Sequence, residues 1–404
     1  MLSDLALAWR NVLRQRRRSG IAVASVAFGV CALLLAGGFI EYIYWATREA
    51  TIHSELGHLQ IARRGYHGAG RADPYAYLLP DALPAALSEV SQLRTVAPRL
   101  SFSGLISHGD ATLSFLGDGV DPAREAAFGR FFEITAGDNL VPGEPLSVIL
   151  GEGLARNLDV HTGDSVVLLV RNARGAAGAV ELKVRGLFTT VAKDYDDNAL
   201  RLPLVTAQRL MKTGGAHLWL VLLDDTAHTD AALQSLRARL AAEYYEVLPW
   251  HELADFYNKM RTLFARQVDG VKLIIAVIIV LSISNSMMMS VLERTGEIGT
   301  VLAMGTRRRG VLRQFVCEGL LLGLLGALLG LALGTVLAQS LSAVGIPMPP
   351  SPGTSHGYDA QILLTWRNAA DAFVLAIGTT LVASLYPAWG ASRRNIVDAL
   401  RHNR

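Results

Sequence analysis

The residues that could do chemistry are few, and their spacing does not serve it. His251, Glu252 and Asp255 come nearest to a metalloprotease helix, which needs a second histidine four residues after the first so that two imidazoles share one helical face. Position 255 is an aspartate instead. Asp194, Asp196 and Asp197 surround Tyr195, yet an acidic loop facing water explains them without an ion. The 10 histidines fall at no ligand spacing, and no serine, histidine and aspartate set stands out. The pattern G-x-x-x-x-G-K-[ST], whose backbone amides would cradle nucleotide phosphates, does not occur. No catalytic residue, metal site or bound cofactor is therefore expected of this chain, and it is not expected to be an enzyme. Any nucleotide that drives it must be hydrolysed by a partner subunit.

The stretch that stands out is charged and glycine-punctuated: ERTGEIGTVLAMGTRRRG, residues 293–310, set between two long apolar runs. A polar segment of this size cannot sit in hydrocarbon. Its arginines, at 294, 307, 308 and 309 with Arg313 just beyond, outnumber Glu293 and Glu297, and the positive-inside tendency places it on the cytoplasmic face. Glu297, Ile298, Val301, Leu302 and Met304 follow helical spacing and Gly305 is a stop signal, so a short amphipathic helix along the surface is predicted.

Composition supports a mixed architecture. The chain has 404 residues, 51% hydrophobic and 18% charged, too apolar for a water-soluble enzyme and too charged to be membrane throughout. Net charge is +3, but the sequence segregates it. Residues 1–18, 293–313 and 390–404 together hold fourteen arginines against four acidic residues, which leaves the remainder net acidic. Basic residues beside apolar runs mark a membrane boundary, and without a basic stripe interleaved with aromatics no nucleic-acid partner is expected. The 2 cysteines, Cys31 and Cys317, lie in or beside apolar runs and cannot staple a soluble domain.

Taken in order, residues 1–18 read as a cytoplasmic amphipathic helix. Residues 19–45 form a first span, uncharged from Ser19 to Ile40 and about 33 Å long as a helix, enough to cross a bilayer. That run exceeds the apolar core of a signal peptide, and Tyr42, Tyr44 and Trp45 mark an aromatic boundary, so an uncleaved span is expected. Residues 46–270 have the composition of a water-soluble α+β domain. Strands are predicted at 58–62, 146–150, 165–170, 180–188, 200–205 and 218–223, with helices at 81–93, 151–158, 206–212 and 229–244. Its last part, 251–270, reads as an amphipathic stalk, with no breaker except Gly270 before a second span, 271–292.

Within that second span Asn285 is the polar residue whose amide needs a partner, on its own helix, in the same subunit or on another helix. After the predicted surface helix, a third span covers 311–343. Gly319, Gly323, Gly326, Gly330 and Gly334 recur every three or four residues and line one side for close helix approach, to the same subunit or to a partner. A Pro-rich outer loop at 344–369 cannot continue a helix. A fourth span, 370–389, returns the chain to a cytoplasmic tail, 390–404. Four spans with both termini cytoplasmic place 46–270 outside.

Several stretches together carry a family resemblance. NSMMMSVLERTGEIGTVLAMGTRRRGVLRQFVCEGLLLGLLGALLG resembles the signature of the FtsX-like permeases of ABC transporters, a group that includes MacB, LolC and LolE. ALAWRNVLRQRRRSGIAVAS and YPAWGASRRNIVDALR are similar to that group's ends. VAPRLSFSGLI, GDGVDPAREAAF, VILGEGLARNLDVHTGDSVVLLV and VRGLF resemble the LolC and LolE side more than MacB. The resemblance implies a fold of the type VII ABC transporter kind, with four transmembrane helices and a two-lobed periplasmic domain inserted between the first and second. It implies an inner-membrane permease, paired with a second permease as homodimer or heterodimer and served by a cytoplasmic ABC ATPase dimer that binds ATP and magnesium.

It further implies that Glu293, Arg294, Glu297, Ile298, Leu302, Met304 and Gly305 belong to a coupling helix, and that ATPase closure is passed to the periplasmic domain by mechanotransmission. The cargo implied is a lipoprotein, a lipid or another periplasmic substrate, with membrane lipids around the spans. One departure concerns a periplasmic carrier, which LolC-type permeases recruit with a long, proline-containing hook, whereas 171–180 is short and lacks proline. The alternative reading is an FtsX-like scaffold that activates a periplasmic partner, such as a cell-wall hydrolase, without transport.

Overall fold

The computed structural model describes residues 2–68, 73–87, 89–90, 92–129, 132–190, 193–348 and 358–393. It divides into a helical unit, Met1–Tyr44 with Met260–Pro347 and Asp359–Arg404, and a β-rich unit, Trp45–Lys259 with Met348–Tyr358.

Four helices are long and apolar enough to cross a membrane: Arg16–Leu56, Asp255–Glu293, Arg308–Val344 and Trp366–Ser392. We refer to them as the first to fourth spans. A separate helix, Leu2–Arg14, precedes them, so Arg16, Arg17 and Arg18 form the first turn of the first span. The core of the helical unit is built from one face of each span: Val26 and Val30 of the first, Ile279, Ile283 and Met287 of the second, Phe315 and Leu322 of the third, Ala376 and Ala383 of the fourth. Outward faces stay apolar, as hydrocarbon rather than water requires.

The β-rich unit contains one ten-stranded sheet. Its strands are β1 Leu59–Arg63, β2 Leu93–His108, β3 Ala111–Val120, β4 Glu133–Gly137, β5 Ser147–Gly151, β6 Ser165–Arg171, β7 Ala177–Thr189, β8 Ala199–Pro203, β9 Leu218–Leu223 and β10 Tyr245–Pro249. β2 is long enough to serve two lobes. Its first half pairs with β9 from Leu93 to Arg99, and its second half pairs with β6 from Gly104 to Ser107. The order β2, β3, β8, β5, β7, β6 then returns to β2, so six strands close into a ring. Closure removes exposed strand edges. Alternation in β6 follows from it: Val166, Leu168 and Val170 point into a core with Leu100, Ile106 and Phe115, while the residues between them face out. The other lobe packs β1, β9 and β10 against the helix Thr229–Arg239, with Leu59, Trp219, Val221 and Leu236 at its centre. The two expected lobes therefore share a single sheet.

Local departures from the sequence expectations have identifiable causes. Among the described residues of 81–93, where a helix is expected, there is one turn, Ala85–Leu87, before β2 begins at Leu93. The helical spacing of Leu87 and Val90 serves burial in the lobe core without a helix. The helix expected at 229–244 ends at Arg239, where Leu240 turns extended and frees the chain for β10. In the stalk, 251–270, a short turn Trp250–Leu253 is separated from the second span by Ala254, at φ −85° and ψ 65°. Asp255 then begins the long helix, its carboxylate suited to the positive helix start.

Candidate functional site

The charged stretch that dominates the sequence forms the helix Thr295–Ala303, closed by Gly305 at φ +93°, a backbone region that suits glycine. Two of its apolar side chains face inward. Ile298 and Leu302 are buried beside Val291, Val311 and Phe315, and anchor the helix to the second and third spans. Glu293, Glu297, Thr300 and Met304 are exposed at successive helical turns, and Met304 is 74% exposed. They form an outward stripe of one acidic, one hydroxyl and one large apolar group along the short helix, with Glu293 at its head.

A chain of ion pairs fixes this stripe in place. Arg294, only 9% exposed, directs Nη1 to Glu318 Oε2 at 3.1 Å and Nε to Glu297 Oε2 at 2.9 Å, and its guanidinium lies 5.5 Å from the centre of the Phe315 ring. Glu297 also accepts from Arg14 Nη2 at 2.9 Å. Glu293 accepts from Arg18 and, at 3.0 Å, from Gln15 Nε2. The amino-terminal helix, the first span, the short helix and the third span are thereby laced together at their basic end. Hydrogen bonding from Arg14, with Arg294 adding to it, holds the Glu297 carboxyl below the usual carboxylate range, so it stays charged near neutrality.

Behind the short helix, the third span presents its glycines to two neighbours within the same chain. Gly319 meets Ser384 and Gly323 meets Thr380 of the fourth span, whereas Gly326, Gly330 and Gly334 meet Val26, Ala27 and Leu34 of the first. A Cβ at Gly330 would stand 2.5 Å from the Ala27 carbonyl oxygen, so that contact is backbone against side-chain-free backbone. Asn285, grouped with these glycines in the sequence, lies elsewhere, on an exposed face of the second span.

The β-rich unit holds a second buried charge cluster, which sequence reasoning missed. Arg99 binds Glu125 twice, Nε to Oε1 at 2.6 Å and Nη2 to Oε2 at 3.0 Å, and its Nη1 donates to the Glu55 carbonyl at 2.9 Å. Arg201 Nη2 donates to the Ser54 carbonyl at 2.9 Å and stacks its guanidinium 4.3 Å from the Phe132 ring centre. Ser54 and Glu55 belong to Ile52–Leu56, a wide π-helical turn that extends the first span's helix. The last carbonyls of a helix have no intrahelical partner, and here two buried arginines from β2 and β8 take them. Arg99 in β2 and Arg201 in β8, each a charged residue inside a fully buried strand run, are the trace this leaves in the sequence.

The remaining sequence candidates are engaged structurally. Asp196 is buried and accepts from Thr189 Oγ1 at 3.0 Å and Thr190 Oγ1 at 2.8 Å, and Asp197 pairs with Lys193 at 2.7 Å. The hairpin at 171–180 is tied by Asn172, whose Oδ1 accepts from the amides of Arg174 and Ala176 at 3.0 and 3.1 Å. Gly175 at φ +80° completes the tight turn.

This geometry belongs with two family descriptions. Residues 271–396 match the FtsX-like permease C-terminal model, and residues 19–239 match the MacB-like periplasmic core domain. The chain belongs to the MacB- and FtsX-type permeases of ABC transporters, with four apolar helices and a MacB-like periplasmic α/β domain between the first and second. Among its relatives is a lipoprotein-releasing system transmembrane protein LolC of Xylella fastidiosa, 26% identical, covering 66% of this chain and 67% of the relative. The LolC of Neisseria meningitidis is 24% identical over 98% of this chain and 99% of that one. A macrolide export ATP-binding/permease protein MacB of Hyphomonas neptunium is 28% identical over 98% of this chain, which spans 60% of that longer protein. In structure, the periplasmic region of MacB from Actinobacillus actinomycetemcomitans aligns with a TM-score of 0.36 at 15% identity, covering 50% of this chain and 93% of that one.

Proposed function

We propose that the chain is the permease half of an ABC transporter whose separate cytoplasmic ATPase dimer, carrying ATP and magnesium, docks on the stripe Glu293, Glu297, Thr300 and Met304. Both chain ends and the short helix face the cytoplasm in this reading, since arginines crowd that end of the bundle. The observation that carries it is the ion-pair chain from Arg14 through Glu297 and Arg294 to Glu318. A helix held only by apolar packing could tilt alone, whereas one laced to the first and third spans must move them with it. Buried arginines then hold the far end of the first span's helix, at Ser54 and Glu55, to the β-rich domain. Nucleotide-driven closure is thus delivered to the periplasmic domain as mechanical work.

Two copies of the permease, or this chain and a paralogue, complete the transporter. The substrate is a lipoprotein or lipid drawn from the outer leaflet, a reading supported by the LolC relatives named for lipoprotein release. The tight five-residue turn of the β6–β7 hairpin leaves little reach for holding a carrier protein.

Reconstitution with the cognate ATPase tests this. Glu297→Lys reverses the charge at the centre of the docking stripe, cancels the stripe's negative charge and breaks both arginine contacts, so nucleotide hydrolysis should lose its dependence on the permease. Full stimulation and assembly by that variant would refute the docking role. An isolated β-rich domain that recovers a cell-wall hydrolase rather than a lipoprotein would favour the scaffold reading.

A further inference from the structure

Strand β1 runs out into two arginines, Arg63 and Arg64, and the fold sets both beside the tyrosine that precedes β10. Arg63 is registered against Tyr245, and the Arg64 amide donates to the Tyr244 carbonyl at 2.9 Å. The Arg63 guanidinium lies 5.2 Å from the centre of the Tyr244 ring. Gly65, at φ +91°, lets the Tyr77 ring come close, since a Cβ there would stand 3.2 Å from a Tyr77 ring carbon. These side chains line a cleft of about 390 Å³, to which exposed Glu243 also contributes. Each arginine is held by a single nitrogen: Arg63 Nη1 donates to the Ala76 carbonyl at 2.9 Å and Arg64 Nη1 to the Ala242 carbonyl at 3.0 Å. Neither forms an ion pair among the described residues, and the Tyr77 and Tyr244 hydroxyls have no hydrogen-bond partner there. The neighbouring Glu246 carboxylate is turned to the Gly65 amide instead, at 3.2 Å. Two positive charges and two phenol hydroxyls thus converge on one cleft with their donors unspent.

We infer that this cleft binds a phosphate ester bearing free hydroxyl groups, as in a sugar phosphate or glycerol phosphate. A phosphate offers several acceptor oxygens to guanidinium forks, and the two charges of a monoester balance two arginines. Glu243 repels a bare anion, yet toward the rest of such an ester it is an acceptor for hydroxyls. An apolar ligand would cover these donors without pairing them, at a desolvation cost. The same chemistry is presented by a free ester in solution and by the glycerophosphate headgroup of a lipid. The cleft lies wholly within the β-rich unit, so the inference goes beyond the permease reading and does not depend on it.

Calorimetric titration of the full chain, held in phosphatidylcholine nanodiscs, with glycerol phosphate tests the site. Saturable binding is expected, and none of glycerol alone. Arg63→Gln and Arg64→Gln should each weaken binding about tenfold or more. Glu243→Gln should weaken glycerol phosphate while strengthening inorganic phosphate. Glu243 is exposed and makes no ion pair among the described residues, so this variant stays readable if the arginine variants fail to fold. Competition by vesicles of phosphatidylglycerol but not of phosphatidylcholine would assign the ester to a lipid headgroup, and binding untouched by either would assign it to a free molecule. No saturable binding to the native chain, or unchanged affinity in Arg63→Gln and Arg64→Gln, would overturn the inference. So would a Glu243→Gln chain that binds both probes more tightly, the behaviour of a site for the bare anion.

Discussion

Arg294 and Glu318 form a buried ion pair across 24 residues of sequence, Nη1 to Oε2 at 3.1 Å, with both side chains no more than 10% exposed. One ends the turn after the second span and the other lies in the third, so the pair sets where the short helix between them can sit. Removing one partner leaves the other charge buried without compensation, which costs more than the pair contributes. Glu318→Ala should destabilise the helical unit by about 3 kcal/mol or more, read as a fall in thermal midpoint in detergent. The exchange Arg294→Glu with Glu318→Arg should recover part of that loss, and an exchange no better than the single variant would show that the pair itself is not what is lost.

The close approach of the first and third spans gives a second expectation. At Gly330 any side chain meets the Ala27 backbone, whereas at Gly378 of the fourth span a Cβ would meet nothing within 4 Å. Gly330→Val should cost about 1–3 kcal/mol through overpacking, and Gly378→Ala should leave the midpoint unchanged. Equal effects at the two positions would contradict the packing described.

Two histidines make the β-rich unit sensitive to acid. His58 and His217 are almost fully buried, and burial pushes each imidazole down to about 4. Their Nδ1 atoms accept the backbone N–H groups of Leu223 and Ser101, each at 3.1 Å, which requires those nitrogens unprotonated. With unfolded values near 6.5, the unfolded chain takes up protons first as pH falls. Stability contributed by these groups should be complete above about pH 6.5, decline from there to about 4, and level off below. Each histidine accounts for up to about 3 kcal/mol. Side-chain NMR titration and denaturant midpoints at pH 7 and pH 5 would check it, and imidazoles that titrate near 6.5 would disprove it.

The clamp on the π-helical turn predicts a local effect. Arg99→Ala leaves the buried Glu125 carboxylate with only the longer Arg201 contact, at 3.7 Å, and frees the Glu55 carbonyl. A loss of about 3–5 kcal/mol is expected, with hydrogen-exchange protection falling first across residues 52–57. Uniform loss across the unit, with no early opening at that turn, would argue against a clamp there.

What could be read in advance followed the range over which the signals act. The short helix Thr295–Ala303 was legible because apolar spacing and a terminal glycine are local properties. Strands β2 and β3 fall outside the predicted strands, although Gly109-Asp110 between alternating segments is a hairpin signal. The helix predicted at 81–93 does not form, and Leu87 and Val90 show that residues three apart can both be buried where a loop plugs a core. In the sequence Ile298 and Leu302 share helical spacing with Glu297 and Met304, and only packing separates the two anchors from the outward stripe.

By itself the sequence determined four apolar spans, their basic flanks and a charged helix between the second and third, since hydropathy and helical periodicity are summed over neighbouring residues. Only the tertiary structure decided that Glu318, to the sequence a mere interruption before an apolar run, receives Arg294. It alone assigned the third span's glycines to two neighbours, and closed six strands through the distant pairing of β2 with β6. Those outcomes depend on which surfaces meet after the chain folds back on itself, and buried charge, close backbone approach and sheet closure acquire their energies only there.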